Sequence, residues 1–351
     1  MTFDRTRREV LRVGAGLALG ALASPFLPGR AHAQGAALRV THFGGPYTVL
    51  KDLVGKPFED AKLGRVSYEV ETSVSAMTKL QAAQAIPQFD VLMLARAIGM
   101  RGAASGLFLE FKTGDVPRQK EVVANANMPG GFGITFVFDA VDVMARADLK
   151  QPIQSWLDLI RDDLKGKISL PAANLSLPLY VLEGITRALG SNEKDDKAIE
   201  EAFKMLRGFK QHVRNFFSDP VQANQLIERG DIAVAPQFGL RIANLVKSNA
   251  DVVRMTPKEG APAFPYDLCI PKNSPNVALA KRYIDFAISK PVQESLAQNL
   301  LATSVRSDVA VPESLRKFMI ADPKQLFFPD EQYVSTKQRD WLERWQREIQ
   351  S

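Results

Sequence analysis

Residues 129–143 read PGGFGITFVFDAVDV, a chain breaker followed by a long apolar run. Proline and two glycines in succession interrupt regular structure. The run at residues 133–143 has the composition of a strand buried inside a sheet. A second apolar stretch, APAFPYDLCIP at residues 261–271, contains a short predicted strand at residues 268–270. We predict that the chain crosses from one lobe to another in the first stretch and returns in the second.

Strand-like and helix-like segments alternate around these two stretches, which is typical of α/β proteins. Further strands are predicted at residues 38–43, 66–71, 89–94, 167–170 and 231–235, and the run at residues 89–94 suits a parallel strand. Helices are predicted at residues 48–62, 75–85, 176–189, 196–209, 220–229, 239–248, 275–289, 291–301 and 330–351. We expect Ser73 or Ser75 to cap the second of these helices. Trp341 and Trp345 should share one face of the last.

The length of the chain indicates two lobes. Without its first 33 residues, the 351-residue chain still has 318, which exceeds what one hydrophobic core usually supports. The predicted fold is therefore α/β with two lobes. We place lobe 1 at residues 38–132 together with 267–312, and lobe 2 at residues 133–266 together with 313–351.

Residues 1–33 have the pattern of an export signal. An arginine-rich start, which includes Arg7 and Arg8, precedes an apolar run at residues 13–23 and the small-residue motif Ala31-His32-Ala33. The run is too short to cross a membrane, which takes roughly 20 apolar residues. The paired arginines resemble a twin-arginine signal, and an ordinary secretory signal is the alternative. Either signal predicts a periplasmic protein, and no cysteine stands at the cleavage point to carry a lipid anchor.

Composition argues against several classes of function. The formal net charge is +6, but the signal holds five arginines and two acidic residues, so the remainder carries +3 and does not demand nucleic acid. Beyond the signal the only histidines are His42 and His212, and no catalytic, nucleotide-binding or metal-ligand motif is present. We expect no enzymatic activity, no cofactor and no metal. The single cysteine, Cys269, lies in an apolar strand and should be a packed core residue.

Polar and aromatic residues follow several predicted strands. In open α/β sheets, ligands bind outside the carboxyl ends of the strands. Gly44 and Gly45 permit a ligand to approach the backbone closely, or they form a plain tight turn. Ser176 stands at a helix N-terminus that would attract an acceptor or anionic group, or it simply caps that helix. Other residues that follow predicted strands are Tyr47, Arg96, Phe238 and Arg241.

Six short motifs occur along the chain in an order that resembles a known family. They are Phe43-Gly44-Gly45-x-Tyr47, Phe89-Asp90-Val91, Ser155-Trp156-Leu157-Asp158-Leu159 before Leu164-Lys165-Gly166-Lys167-Ile168, Glu228-Arg229-Gly230-Asp231-Ile232-Ala233, Pro257-Lys258-Glu259-Gly260, and Asp267-Leu268-x-Ile270-Pro271-Lys272. In this order they resemble the extracellular solute-binding proteins of ABC importers, especially the spermidine/putrescine-binding branch. The resemblance covers residues 38–313.

The resemblance implies a two-lobe, type II-like periplasmic-binding-protein fold that holds a small solute in the cleft between its lobes. Solute would shift the lobes from open to closed, and the closed form would dock on an ABC permease in the inner membrane. We expect a monomer that binds no nucleic acid. Two other functions stay open: an enzyme exported in its folded form, and a protein that presents its solute to a membrane receptor for sensing.

The charged residues depart from the polyamine-binding branch, whose members surround the solute with several carboxylates and aromatic rings. Asp267 matches the site segment of that branch, but residues 42–47 and 174–180 carry no acid. Arginine favours carboxylate or phosphate, so Asp267 with Arg96 suits a solute that carries both a cationic and an anionic group. The expected partner of Asp267 is a solute amine or Arg241. The expected ligand contacts are Tyr47, Arg96, Ser176, Phe238, Arg241, Tyr266 and Asp267.

Overall fold

The computed structural model describes residues 37–351, so the predicted export signal lies outside the described residues. Ten strands occur in this part of the chain. They are β1 (Leu38–His42), β2 (Val66–Val70), β3 (Leu92–Ala95), β4 (Ile134–Arg146), β5 (Ile168–Pro171), β6 (Val213–Phe217), β7 (Val234–Phe238), β8 (Val252–Met255), β9 (Ala261–Cys269) and β10 (Leu326–Phe327).

Eleven α-helices accompany the strands in the described residues. They are α1 (Lys56–Asp60), α2 (Ser73–Ala82), α3 (Arg96–Ala104), α4 (Leu177–Ala188), α5 (Asp196–Phe209), α6 (Pro220–Glu228), α7 (Gly239–Ser248), α8 (Val277–Ala287), α9 (Lys290–Asn299), α10 (Glu313–Arg316) and α11 (Glu331–Arg344). A π-helical segment, Lys51–Gly55, precedes α1, and another, Trp345–Gln350, follows α11. Between residues 37 and 351, none of the helices is both long and apolar enough to span a bilayer.

Strands β4 and β9 form the centre of the main sheet. Strand β9 pairs antiparallel with the first half of β4, from Ile134 opposite Leu268 to Ala140 opposite Ala263. The second half of β4 pairs instead with β7 and β8, and β5 and β6 continue the sheet beyond β7. Strand β3 lies antiparallel to β9 on its other edge. A separate parallel pair is formed by β1 and β2.

Two hydrophobic cores meet at the point where β4 changes partners. Residues 134–140 of β4 supply side chains to the first core, together with β1, α8 and α9. Residues 141–145 supply the second core, which also contains Trp156, Phe203 and Trp345. One long strand thus passes through both cores, as a lobe crossing requires. The two-lobe α/β fold is confirmed, while the residue bounds that we assign to each lobe stay a prediction.

Local details of the fold differ from the sequence-based expectations in three places. Helix α2 begins at Ser73, and its cap is Thr72, whose Oγ1 accepts a hydrogen bond from the backbone N–H of Ser75 at 3.1 Å. Neither predicted serine is the cap. Strand β3 pairs antiparallel with β9, whereas the run at residues 89–94 was expected to form a parallel strand. The one parallel bridge of this run joins Val91, just before β3, to Val40 of β1. Strand β9 covers nine residues, of which only the last two fall in the predicted strand.

Other expectations are confirmed. Helices α5 and α7 have the predicted bounds. Trp341 and Trp345 are both buried on the side of the C-terminal helix that faces the second core. Cys269 is fully buried at the end of β9, and burial holds the pKa of its thiol well above the ordinary value. It is therefore a core residue, as its apolar surroundings indicate.

Candidate functional site

A cavity of about 430 Å³ lies where loops of the two lobes face each other. We call it the aromatic chamber. The predicted lobe 1 supplies residues 43–47 after β1, residues 72–73 at the start of α2, and Ala95. The predicted lobe 2 supplies Phe238 and the first turn of α7. The crossing strands β4 and β9 supply the floor through Asp139, Phe264 and Tyr266.

Five aromatic rings form the walls of the aromatic chamber. Tyr266 is at their centre, with ring centroids 4.9 Å from Phe43, 5.4 Å from Tyr47 and 5.1 Å from Phe264. Phe238 lies 5.6 Å from Phe264. All of these pairs meet edge to face, the arrangement that aromatic quadrupoles favour. The walls are therefore apolar with specific ring orientations, as in sites that enclose a small organic ligand.

The two glycines after β1 make the tight turn that was one of their predicted roles. Gly44 has φ 71° and Gly45 has φ 52°, values that L side chains rarely adopt. A Cβ atom on Gly44 would also lie 2.9 Å from Cγ1 of Val70. Both glycines line the aromatic chamber. The turn places the side chain of Tyr47 in the chamber wall, where its buried hydroxyl has no hydrogen-bond partner of good geometry in the described residues.

Two charged side chains face the aromatic chamber. Asp139 is buried, and its Oδ1 accepts hydrogen bonds from the backbone N–H groups of Ala140 at 2.8 Å and Leu240 at 3.0 Å. Burial raises the pKa of Asp139 from 3.8 to about 6, although these bonds and the charges of Arg254 and Arg241 oppose the rise. Arg241 is half-buried and makes no hydrogen bond or ion pair with another described residue.

Asp267 meets a different partner from the two expected. Its Oδ2 accepts from Nε of Arg96 at 3.0 Å, and its Oδ1 accepts from Nη2 of Arg96 at 2.9 Å and from the hydroxyl of Thr135 at 2.6 Å. Asp267 is fully buried and Arg96 nearly so. The expectation of Arg241 or a solute amine is therefore wrong in this structure, where Arg96 neutralises Asp267.

Strand geometry explains this pairing. Thr135 lies directly opposite Asp267 in the β4–β9 ladder, and Leu94 of β3 lies opposite it on the other side. Arg96 begins α3 two residues after Leu94, so its guanidinium reaches Asp267. Successive side chains of a strand point to opposite faces. Tyr266 therefore points into the aromatic chamber and Asp267 points away from it.

The predicted site residues thus separate into three groups. Tyr47, Phe238, Arg241 and Tyr266 come together in the aromatic chamber. Arg96 and Ser176 line a narrow chamber of about 160 Å³ that shares Phe264 with it. Ser176 makes no capping hydrogen bond to α4, so capping does not account for it. Asp267 lines no chamber of the described residues. The sequence analysis did not name Asp139 as a site residue. An acidic residue within the apolar run at residues 133–143 was the signal that could have identified it.

The raised pKa of Asp139 predicts how stability depends on pH. Because the folded protein holds this proton more tightly than the unfolded chain, the contribution of Asp139 to the free energy of unfolding falls as the pH rises from about 4 to about 6. Above that pH the contribution is constant. We expect the melting temperature of the wild type, relative to Asp139→Asn, to decrease across this interval. Thermal melts at half-unit pH steps measure it, and parallel curves for the two proteins would contradict the assignment.

Comparison with known proteins places this chain in a family. A sequence model of bacterial extracellular solute-binding proteins matches residues 54–324. A gamma-aminobutyric acid-binding protein of Pseudomonas aeruginosa is 25% identical, over 77% of each chain. A spermidine/putrescine-binding periplasmic protein of Escherichia coli is 28% identical, over 48% of each chain.

The fold leads to the same family. The crystal structure of an ABC transporter protein from Clostridium perfringens superimposes with a TM-score of 0.78 at 25% identity, over 89% of this chain and 99% of that one. The match in sequence spans most of both lobes, and the match in structure includes nearly all the described residues. The chain therefore belongs to the family of bacterial extracellular solute-binding proteins.

Proposed function

We propose that this protein captures a small solute with one amine and one carboxylate, closes its lobes around it and delivers it to an ABC permease. The observation that carries the proposal is Arg241. A half-buried guanidinium that lines an apolar chamber and has no partner in the described residues is a ready site for an anionic group. A bound carboxylate would give this guanidinium the charge-assisted hydrogen bonds that no described residue supplies.

Asp139 supplies the opposite charge in the same chamber. Its Oδ1 is occupied by two backbone N–H groups, while its Oδ2 makes no hydrogen bond with the described residues. An amine placed there would gain a charge-assisted hydrogen bond. The surrounding rings would also attract a cation through their faces. Asp139 and Arg241 thus take the place of Asp267 and Arg96 as the two charged groups that we expect to select an amphoteric solute.

The same charges disfavour a long polyamine in the aromatic chamber. A polyamine carries an ammonium at each end, and one end would lie near Arg241, which repels it. The match to a gamma-aminobutyric acid-binding protein also supports an amphoteric solute, since that compound has one amine and one carboxylate. The polyamine-binding relative matches over a shorter part of the chain. Transport through an ABC permease, and export to the periplasm by the twin-arginine route, belong to the same proposal.

Replacement of Arg241 tests the proposed solute. We expect 4-aminobutanoate, or another ω-amino acid from a small panel, to bind the wild type, and Arg241→Gln to weaken that binding about 10- to 100-fold. The reason is the loss of a charge-assisted hydrogen bond, which contributes roughly 1.5–3 kcal/mol. Isothermal titration calorimetry measures the affinity directly, and thermal melts show whether the variant is folded.

Arg214→Gln is the matched control, because Arg214 is exposed on β6 and lies outside the aromatic chamber. It should bind the same solute as tightly as the wild type. Equal affinity of Arg241→Gln and the wild type would show that Arg241 does not contact the solute. Carboxylates that lack an amine are the second control. If they bind, and if Asp139→Asn binds them as tightly as the wild type does, the solute need not carry an amine and that part of the proposal is wrong.

A further inference from the structure

A second cavity, of about 600 Å³, lies on the opposite face of β9 from the aromatic chamber. We call it the polar chamber. Ala263 and Pro265 of β9 line it, whereas the intervening Phe264 lines the aromatic chamber. The other walls come from α3, from residues 124–129, from α4 and the loop after it, and from residues 327–332. The two chambers have no lining residue in common, so each presents its own set of side chains.

Glu183 is the unusual residue of the polar chamber. It lies on α4 and is only 2% exposed, yet its Oε2 has no hydrogen-bond partner and its carboxylate accepts none from the described residues. Buried polar groups in folded proteins are nearly always hydrogen-bonded, and an unpaired carboxylate is among the costliest exceptions. Because Glu183 lines the polar chamber, a bound donor could reach it where no protein donor does.

The cations around the polar chamber are already engaged elsewhere. Arg96 is held by Asp267, as described above. Lys194 is paired with Asp330. Arg187 donates to the backbone carbonyl of Glu259 at 2.9 Å and stacks on Phe327, 4.7 Å from the ring centroid. None of the three therefore neutralises Glu183.

Glu331, at the start of α11, adds a second carboxylate without a partner. It is half-buried, lines the same chamber and makes no side-chain hydrogen bond with the described residues. Burial raises the pKa of Glu331 to about 7, although the charge of Arg96 opposes the rise, and burial followed by the charges of Glu331 and Glu193 raises the pKa of Glu183. Glu193 differs, because its Oε1 accepts from the backbone N–H of Asp330 at 2.7 Å. The chamber thus contains two acids that form no hydrogen bond or ion pair with the described cations.

We propose that the polar chamber binds the ammonium group of an organic amine, with Glu183 as hydrogen-bond acceptor and Glu331 as the second negative charge. This site is separate from the proposed solute site in the aromatic chamber. An ammonium supplies three donors and one positive charge, which are what Glu183 lacks. Within residues 37–351, no group of three or more acids, histidines or cysteines is placed to hold a metal ion. Phe327, Phe328 and Pro265 give the chamber an apolar side that suits the carbon chain of an amine.

Calorimetric titration with putrescine and with n-butylamine at pH 8 tests the proposal, with the full mature chain as wild type and as Glu183→Gln, Asp139→Asn and Arg214→Gln. We expect putrescine to bind the wild type, and Glu183→Gln to weaken that binding about 10-fold or more through the lost charged acceptor. Arg214→Gln, the exposed control used above, should leave putrescine affinity unchanged. Glu183→Gln should retain its melting temperature, because it replaces an unpaired buried acid by a neutral side chain of the same shape.

The outcomes separate this proposal from the proposed function. If neither amine binds the wild type at millimolar concentration, or if Glu183→Gln binds putrescine as the wild type does, the polar chamber is not an amine site. If Asp139→Asn weakens putrescine binding, the amine occupies the aromatic chamber and the proposal is wrong. The ω-amino acid should lose affinity in Arg241→Gln and keep it in Glu183→Gln. Should Glu183→Gln fail to fold, Glu331→Gln on the chamber rim is measured by the same criteria.

Discussion

Asp267→Asn is expected to lower the free energy of unfolding by about 3–5 kcal/mol, because it removes one partner of a buried ion pair. Arg96 would keep its charge in a nearly closed environment, with only the hydroxyl of Thr135 and the carbonyl of Asn125 as hydrogen-bond partners. An asparagine of the same shape can still accept one hydrogen bond, but it cannot neutralise the guanidinium. Urea unfolding followed by circular dichroism measures the loss.

Asp231→Asn is the control for this prediction. Asp231 pairs with Arg229 at 2.9 Å, but both side chains are largely exposed, so we expect a change within about 1 kcal/mol. A double replacement of Arg96 by Met and Asp267 by Leu should recover much of the stability, since well-packed apolar residues often replace a buried ion pair at little cost. If Asp267→Asn keeps wild-type stability and loses only solute affinity, Asp267 has the ligand-binding role predicted from the sequence.

Trp345→Ala is expected to destabilise the protein by a similar amount, about 3–5 kcal/mol, through the cavity that it leaves. Trp345 is fully buried in the second core, and its Nε1–H donates to the backbone carbonyl of Pro171 at 2.9 Å. The replacement therefore removes a large apolar side chain and leaves the carbonyl at the end of β5 without this donor. The free energy of unfolding from urea titrations is again the measurement.

Gln346→Ala, one residue further along the same π-helical segment, is the matched control because Gln346 is exposed. We expect it to change stability by less than about 0.5 kcal/mol. Equal effects of the two replacements would show that the C-terminal segment contributes through its backbone conformation and not through the burial of Trp345.

Much of the fold was predictable because its signals are local. The limits of α5 follow from helical spacing and from Asp195, which caps it, and the apolar run before Arg146 is long enough to indicate a buried strand. Strand β9 was mostly missed, since Pro262 and Pro265 argue against a strand interior. Its nine residues form a strand because β3 and β4 pair with it from both sides, and no local sequence pattern reveals such neighbours.

The site was predictable in its parts but not in its pairings. Tyr47, Phe238, Arg241 and Tyr266 follow strand ends or lie on the returning strand, and those positions are known from sequence alone. Which carboxylate faces which arginine depends on strand register and on the face to which each side chain points. Tyr266 and Asp267 are one residue apart on β9, so their side chains point to opposite faces: Tyr266 lines the aromatic chamber, and Asp267 forms a buried ion pair with Arg96.

Because the thiol of Cys269 is buried and unreactive, this protein is suited to conjugation at a cysteine introduced elsewhere on its surface. Cys269 is the one cysteine of the sequence, it is closed off from solvent, and its raised pKa keeps it as the unreactive thiol rather than the thiolate that alkylating reagents attack. Val74, in contrast, is 63% exposed and adjoins Ser73 on the rim of the aromatic chamber. A Val74→Cys variant would carry a single accessible thiol without deletion of the native one. An environment-sensitive dye attached there would report the proposed lobe closure as a change in fluorescence, and the labelled variant would serve as an optical sensor for the solute.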